Sequence, residues 1–189
     1  MRHAHYAGHS PGYHAPDDAE LSPQGRRDTI ATVPLLPPAV GIVSSPLPRA
    51  LQTAELLAEN SGISLLDIIP DLREWRGPTA VQGISPEDFP EDYAEWRVKR
   101  TLDPTSRYED GESPQELGGR AARIRGRLIA LADRQGAILV VSHKILLRAL
   151  TVPDGPASVF DPDIRDEWPF LGQRSLVPGP LRPLPRSRA

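Results

Sequence analysis

The sequence predicts an α/β fold, in which two layers of helices cover the faces of a mostly parallel central sheet. Two short apolar runs, Val40 to Ser44 and Ala137 to Ser142, are typical of buried strands. The second run has no polar alternation, as expected for a strand that is covered on both faces. Each run is followed by a segment with helical spacing, and strands that alternate with helices favour a parallel sheet.

The first strand leads into a helix and then into a second strand. Pro48 stands where proline is favoured, in the first turn, and Gly62 is placed to end the helix. Between them, apolar residues recur with the spacing of one helix face: Leu51, Ala54, Leu57 and Ala58. Ile63 to Ile69 is the second strand candidate, and Pro70 closes it.

A longer helix precedes the last strand. Ser113 to Glu116 reads Ser-Pro-Gln-Glu, which is a capping box with proline in the first turn. Gly136 ends the helix. Its core stripe consists of Leu117, Ala121, Ile124, Leu128 and Leu131. The strand Ala137 to Ser142 follows, and then a helix over Lys144 to Leu150.

The composition divides the chain into one domain and a C-terminal extension. We predict a domain over residues 1–152 and a proline-rich extension over residues 153–189. The last stretch, 172–189, carries four arginines, four prolines and no acidic residue. Because it lacks the apolar periodicity needed for packing, we predict that 172–189 is disordered.

The charge and the cysteine count exclude several classes of protein. A formal net charge of −3 disfavours nucleic acid as a partner. The chain has no cysteine, which excludes disulfide frameworks and thiolate nucleophiles. No apolar run approaches the roughly 20 residues of a membrane helix, and no signal peptide is evident. We therefore expect a soluble, cytoplasmic protein without a membrane partner.

Basic residues stand where a parallel sheet collects its ligands, at the carboxyl ends of strands. Arg49 follows the first strand, and His143 directly follows the last one. Arg2 and His3 stand together at the N-terminus. Guanidinium groups match phosphate oxygens, and a neutral imidazole can attack phosphorus. If these groups meet in one crevice, they make a site for a phosphate dianion.

Six segments of the chain carry a resemblance to known proteins: Arg2-His3-Ala4, Leu21 to Gly25, Ser44 to Glu55, Asp71 to Trp75, Asp110 to Ser113 and Val140 to Leu150. They resemble, in the same order, segments of the histidine phosphatase superfamily, the phosphoglycerate mutase-like group. The first looks like the Arg-His-Ala variant of that family's Arg-His-Gly motif. The resemblance implies a three-layer α/β/α fold of the phosphoglycerate mutase type over about residues 1–150.

The resemblance also implies a role for each matching residue. His3 is then the nucleophile that forms a phosphohistidine, while Arg2, Arg49 and His143 hold the phosphoryl group, with His143 charged as it does so. Glu74 is the general acid for the leaving oxygen, and Asp71 and Glu112 are its alternatives. No metal or cofactor is implied. The expected activity is metal-independent hydrolysis of a small-molecule phosphate ester.

Three features depart from the family pattern. Only Met1 precedes the Arg-His motif, so the family's N-terminal strand is missing from the predicted sheet. We infer either a start further upstream or a weakly active or inactive relative. We predict that Ala157 to Phe160 is the remnant of the family's last strand. His9 stands where many relatives have an asparagine.

Three other functions stay open. A phosphoglycerate-type mutase would use basic residues in the middle of the chain, namely Arg97, Lys99, Arg100 and Arg107. A non-catalytic relative would bind phosphate esters without turning them over. A metallohydrolase would take its ligands from His3, His5, His9, His14 and His143, although His5, His9 and His14 fit exposed loop residues better. The sequence does not identify the natural substrate or the oligomeric state.

Overall fold

A computed structural model describes residues 1–151, 156–161 and 168–176. In these residues the sheet consists of β1 (Gly41–Ser44), β2 (Leu65–Ile68) and β3 (Ile138–Val141). Its order is β2-β1-β3, and both neighbouring pairs are parallel. The central strand is wholly buried, and all three strands lie inside the predicted apolar runs. The α/β fold with a parallel sheet is therefore confirmed.

Five α-helices surround the sheet within the described residues: α1 (Pro23–Thr32), α2 (Pro48–Ser61), α3 (Glu91–Leu102), α4 (Pro114–Gln135) and α5 (Lys144–Thr151). On one face of the sheet, Ala54 and Leu57 of α2 pack against Ile42. On the other face, residues of α3, α4 and α5 pack around Val43. These two apolar clusters produce the three layers. No helix in the described part of the chain is long and apolar enough to cross a membrane.

The helix ends follow the predicted signals. The helix α2 begins at Pro48 and is ended by Gly62, whose φ of 75° is a left-handed conformation that glycine adopts without strain. The helix α4 begins with the predicted capping box, in which Ser113 and Glu116 each accept a hydrogen bond from the other's backbone N–H. Both helices thus place their first residues close to the carboxyl ends of the strands.

The helix α3 was not predicted from the sequence. It buries Tyr93 and Trp96 one turn apart, against Trp75 and Tyr108. Its signals are present, since Glu91 and Asp92 open the first turn and basic residues close the last. Two aromatic residues among many charges make too narrow an apolar stripe to indicate a buried face on their own.

The N-terminal residues partly replace the strand that the prediction leaves out. Met1 and His3 pair with the end of β3, because the Ser142 N–H donates to the Met1 carbonyl over 3.0 Å and the His3 N–H donates to the Ser142 carbonyl over 2.9 Å. Arg2 forms a parallel bridge with Ser142. Three residues are therefore sufficient to attach the Arg-His pair to the sheet, although they form no complete strand.

The C-terminal extension contributes to the core wherever it is described. Pro156–Phe160 forms a 3-10 helix, so the prediction of a strand remnant over Ala157 to Phe160 is wrong. Val159 and Trp168 are buried in the same cluster as α4 and α5. Within the stretch predicted to be disordered, the Gly172 carbonyl accepts a hydrogen bond from the Arg2 N–H over 3.0 Å. Residues 152–155, 162–167 and 177–189 lie outside the described residues.

Candidate active site

The two histidines singled out in the sequence meet at the carboxyl end of β3. His143 directly follows this strand, and the pairing of residues 1–3 with Ser142 brings His3 beside it. Their ring centroids are 5.0 Å apart, and the ring planes are tilted by 56°. Both side chains are buried. Residues 140 positions apart in the chain therefore form a single histidine pair.

One hydrogen bond sets the tautomer of His3. Its Nδ1 lies 2.7 Å from the carbonyl oxygen of Ala4. A carbonyl oxygen only accepts, so Nδ1 carries the proton and the lone pair is on Nε2. Burial, and next the charge of Arg49, lower the pKa of His3 well below its usual value. The ring is therefore neutral at pH 7, with a nucleophilic nitrogen opposite the hydrogen-bonded one.

His143 is held by Ser45, a residue that was not singled out in the sequence. Its Nε2 lies 2.8 Å from the hydroxyl oxygen of Ser45, which follows β1. Its Nδ1 is buried and has no hydrogen-bond partner in the described chain. Burial, and next the neighbouring His3, lower the pKa of His143 well below its usual value. Ser45 stands in the Ser-Ser-Pro turn after β1, and this polar turn after a buried strand is the signal that could have indicated it.

Arg49 and Arg2 supply positive charge to the same crevice. Arg49, at the start of α2, is only 2% exposed, and its Nη1 donates to the Pro16 carbonyl over 2.8 Å. Arg2 uses its Nη1 to donate to the Trp168 carbonyl over 2.7 Å. The Nε atoms of both arginines are buried without a hydrogen-bond partner in the described residues. Burial lowers the pKa of each guanidinium, and the nearby Glu74 opposes this effect.

The side chain of Glu74 contacts the first turn of α5, which directly follows His143. Its Oε1 accepts hydrogen bonds from the backbone N–H groups of Ile145 over 3.1 Å and of Leu146 over 3.0 Å. It also accepts from the N–H of Trp75. The first N–H groups of a helix have no partner within the helix, so those of α5 are free to hold the carboxyl group of Glu74 in place. The five residues singled out in the sequence are thus brought together.

The segment that carries Glu74 is held by a buried ion pair between Arg120 and Glu112. Arg120 donates from Nε and Nη2 to the two carboxylate oxygens of Glu112, over 2.9 and 2.7 Å. Its remaining N–H groups donate to the carbonyls of Asp71, Arg73 and Glu74. Arg120 was not singled out in the sequence, although it stands on the apolar face of α4, three residues after Leu117 and four before Ile124. A charge at such a position is a signal of a buried partner.

The alternatives for the acid have different surroundings. Both oxygens of Glu112 are occupied, since its Oε2 also accepts from the Arg76 N–H over 3.2 Å. Asp71 is exposed, and its carbonyl oxygen is bound by Arg120. Of the three carboxylates, Glu74 is the one that contacts the residues after His143.

The remaining N-terminal histidines each have a partner of their own. His5 Nδ1 lies 2.9 Å from the Ser22 hydroxyl, and His9 Nδ1 lies 3.2 Å from the Tyr6 hydroxyl. His14 Nε2 lies 2.8 Å from the Tyr93 hydroxyl. Within residues 1–151, 156–161 and 168–176, no three histidine, cysteine or acidic side chains are grouped so that they could hold a metal ion.

The fold and the site together define a class of protein, a parallel α/β protein with a histidine pair, two arginines and a glutamate at the strand ends. This set of groups suits phosphoryl transfer. The sequence model of the histidine phosphatase superfamily (branch 1) matches residues 1–152, and the chain belongs to this superfamily. Its class is therefore that of the histidine-type phosphatases, which hydrolyse phosphate monoesters.

Solved structures of phosphatases resemble this one. The native structure of mycobacterial glucosyl-3-phosphoglycerate phosphatase is 25% identical, with a TM-score of 0.69, over 84% of this chain and 80% of that chain. Its complex with inorganic phosphate is 26% identical, with a TM-score of 0.67, over 84% and 80%. The α-ribazole phosphatase of Shigella flexneri is 23% identical, with a TM-score of 0.69, over 85% and 81%, which shows the fold alone. A search of curated protein sequences finds no match.

Proposed function

We propose that this chain hydrolyses small-molecule phosphate monoesters, without a metal ion, through a phosphohistidine on His3. The observation that carries the proposal is the 2.7 Å contact between His3 Nδ1 and the Ala4 carbonyl, because it leaves the lone pair on Nε2. The lowered pKa of His3 supports the same role, since a neutral imidazole is the nucleophilic form. A cytoplasmic location stays a prediction from the sequence.

The site residues divide the reaction between them in two steps. His3 Nε2 attacks the phosphorus in line, the phosphorus–oxygen ester bond breaks, and the departing alcohol takes a proton from Glu74. A water molecule then gives a proton to Glu74 and attacks the phosphohistidine. The nitrogen–phosphorus bond breaks, and inorganic phosphate leaves. Throughout both steps, Arg2, Arg49 and His143 bind the phosphoryl oxygens.

Unpaired nitrogen atoms at the site support phosphoryl binding. Arg2, Arg49 and His143 each have a buried ring or guanidinium nitrogen without a hydrogen-bond partner in the described chain. A buried N–H without an acceptor, as in the two arginines, costs roughly 1–3 kcal/mol, and phosphoryl oxygens would supply the acceptors. We also propose that His143 is charged while it holds the phosphoryl group, because the two negative charges of that group would raise the pKa of the imidazole.

The surroundings of the central arginines favour a phosphatase over a mutase. Arg100 is buried, with its guanidinium carbon 3.9 Å from the ring centroid of Phe160. Arg107 forms an ion pair with Glu116. Of the four basic residues that a mutase would use, Arg107 is therefore paired within the protein, while Arg100 contacts Phe160 and keeps two buried nitrogens without a hydrogen-bond partner in the described chain. The mycobacterial neighbour is named as a phosphatase of glucosyl-3-phosphoglycerate, which is a small phosphorylated molecule of the class proposed here.

The test is hydrolysis of para-nitrophenyl phosphate by the full chain in the presence of EDTA. We expect turnover that disappears in His3→Ala, and a radiolabelled phosphohistidine after rapid quenching that is absent from the same variant. His14→Gln is the matched control, because His14 is bonded to Tyr93 outside the site. Full activity in His3→Ala would contradict the mechanism. Phosphate binding without turnover in the wild type would favour the non-catalytic alternative.

A further inference from the structure

A short C-terminal segment, residues 168–172, surrounds Arg2. The Arg2 N–H donates to the Gly172 carbonyl over 3.0 Å, and the Leu171 N–H donates to the Arg2 carbonyl over 3.1 Å. The Arg2 side chain donates to the Trp168 carbonyl over 2.7 Å. The segment lies beyond residue 152, where the match to the family ends. Residues outside the family-matched region therefore bind both the backbone and the side chain of Arg2.

Phe170 makes the remaining contact between this segment and the site. The guanidinium carbon of Arg2 lies 4.0 Å from the centroid of the Phe170 ring, which is close enough for a cation–π interaction. The same ring is 5.7 Å from the ring of His3 and 5.0 Å from that of His9. Phe170 thus contacts Arg2 and lies close to two imidazoles of the N-terminal segment.

These contacts restrict the orientation of the Arg2 guanidinium. The central carbon of the group lies over the Phe170 ring, and Nη1 is directed to the Trp168 carbonyl. Because the guanidinium is rigid and planar, holding its centre and one N–H direction restricts the directions of its other N–H groups. Nε is among them, and it has no partner in the described chain.

We propose that Phe170 is a positioning residue for phosphoryl binding, which acts by holding the Arg2 guanidinium in place. The inference rests on the proposed function, because it assigns Arg2 to the phosphoryl group. It also assigns a role in the site to the segment 168–172, which no pattern in the sequence connects with Arg2. Replacing the ring with a side chain of similar volume but no aromatic face removes the contact and keeps most of the packing.

The variants are Phe170→Leu, Phe170→Tyr and, as the matched control, Phe160→Leu. Phe160 lies under Arg100 at 3.9 Å, so it offers the same chemistry to an arginine outside the site. Two quantities are measured, the dissociation constant of inorganic phosphate by calorimetry and the kcat and KM for para-nitrophenyl phosphate. Melting temperatures of all variants report any loss of folding.

For Phe170→Leu we expect phosphate binding to weaken roughly tenfold and kcat/KM to fall by the same factor. This is less than the loss of about a hundredfold in rate that a 1 Å misplacement of a reacting group causes. Phe170→Tyr should restore both values, and Phe160→Leu should leave both unchanged. In an Arg2→Ala background, Phe170→Leu should cause no further loss. Equal losses in the two leucine variants, or losses that add to those of Arg2→Ala, would overturn the inference.

The two measurements separate this inference from the proposed function. If the wild-type chain shows no turnover, the hydrolysis mechanism fails, and the phosphate dissociation constants still decide the role of Phe170. If turnover depends on His3 but Phe170→Leu binds phosphate and reacts as the wild type does, the mechanism stands and the positioning role is wrong.

Discussion

Arg120 and Glu112 form a bidentate ion pair beneath the segment that carries Glu74. Both side chains are nearly buried, with exposed fractions of 13% and 11%. Because the same guanidinium donates to the carbonyls of residues 71, 73 and 74, one side chain of α4 determines the path of that segment. The carboxylate of Glu74 then meets the first N–H groups of α5, next to His143.

Replacing Arg120 should therefore affect both stability and catalysis. Arg120→Ala leaves Glu112 buried and unpaired, so we expect the free energy of unfolding to fall by about 3–5 kcal/mol. Arg120→Lys keeps the charge but loses the planar fork, and it should lower kcat more than it raises KM. Urea unfolding and steady-state kinetics measure these effects.

The matched control is Arg127→Ala on the same helix. Arg127 pairs with Asp67 over 2.8 Å, with exposed fractions of 57% and 44%. An exposed pair of this kind contributes about 0–1 kcal/mol. If the losses of stability in Arg120→Ala and Arg127→Ala were equal, the buried pair would have no special role.

Glu74→Gln should show the signature of a missing general acid. Loss of such a group lowers kcat by about 10²–10⁴-fold when the leaving group needs a proton. We expect the larger loss with an alkyl phosphate such as glycerol phosphate, and a smaller one with para-nitrophenyl phosphate, whose phenolate leaves without protonation. Rates with both substrates measure the difference. Asp71→Asn is the control, and the same leaving-group dependence in that variant would move the role from Glu74 to Asp71.

Thr53 connects the Arg-His pair with α2, and Thr53→Val should break this connection. The wholly buried Thr53 hydroxyl donates to the Arg49 carbonyl over 2.7 Å and accepts from the Ala4 N–H over 3.1 Å. Valine has the same shape, but it leaves the Ala4 N–H without a partner. We expect a loss of about 1–3 kcal/mol in chemical unfolding, together with lower activity. Thr53→Ser should retain both, and its failure to do so would show that the methyl group dominates.

Acid should begin to destabilise the protein at a higher pH than the titration of its carboxylates alone would. Burial lowers the pKa of His3 and His143 well below the usual value, and it lowers that of His14 to about 4. The unfolded chain therefore binds more protons than the native one below a pH of about 6.5. Above that pH the histidines do not reduce the free energy of unfolding. Below it, the free energy of unfolding falls by about 1.4 kcal/mol per pH unit for each buried histidine.

Urea midpoints between pH 7.5 and pH 5 test this expectation. In His14→Gln the slope should decrease by the contribution of one histidine, since the other two keep their buried surroundings. Midpoints that do not change over this interval would mean that the buried rings bind protons in the native state.

Local patterns in the sequence were enough to predict the strands β1 to β3 and the helices α2, α4 and α5. Their signals are local, as with Pro48 and Gly62 at the ends of α2. The helix α3 was not predicted, because Tyr93 and Trp96 are the only apolar residues on its buried face. The pairing of residues 1–3 in place of a first strand was not predicted either, because Ser142 lies far along the chain.

The fold class and the kinds of side chain at the site follow from local features of the chain, because helix caps, apolar runs and the residues after them act over a few positions. How these groups are held depends on contacts between distant parts of the fold. Arg120 of α4 binds the carbonyl of Glu74, Ser45 after β1 binds His143 after β3, and Phe170 contacts Arg2 from near the other end of the chain. Such contacts join residues that no periodicity relates, and they form only when the packed layers bring the strand ends together.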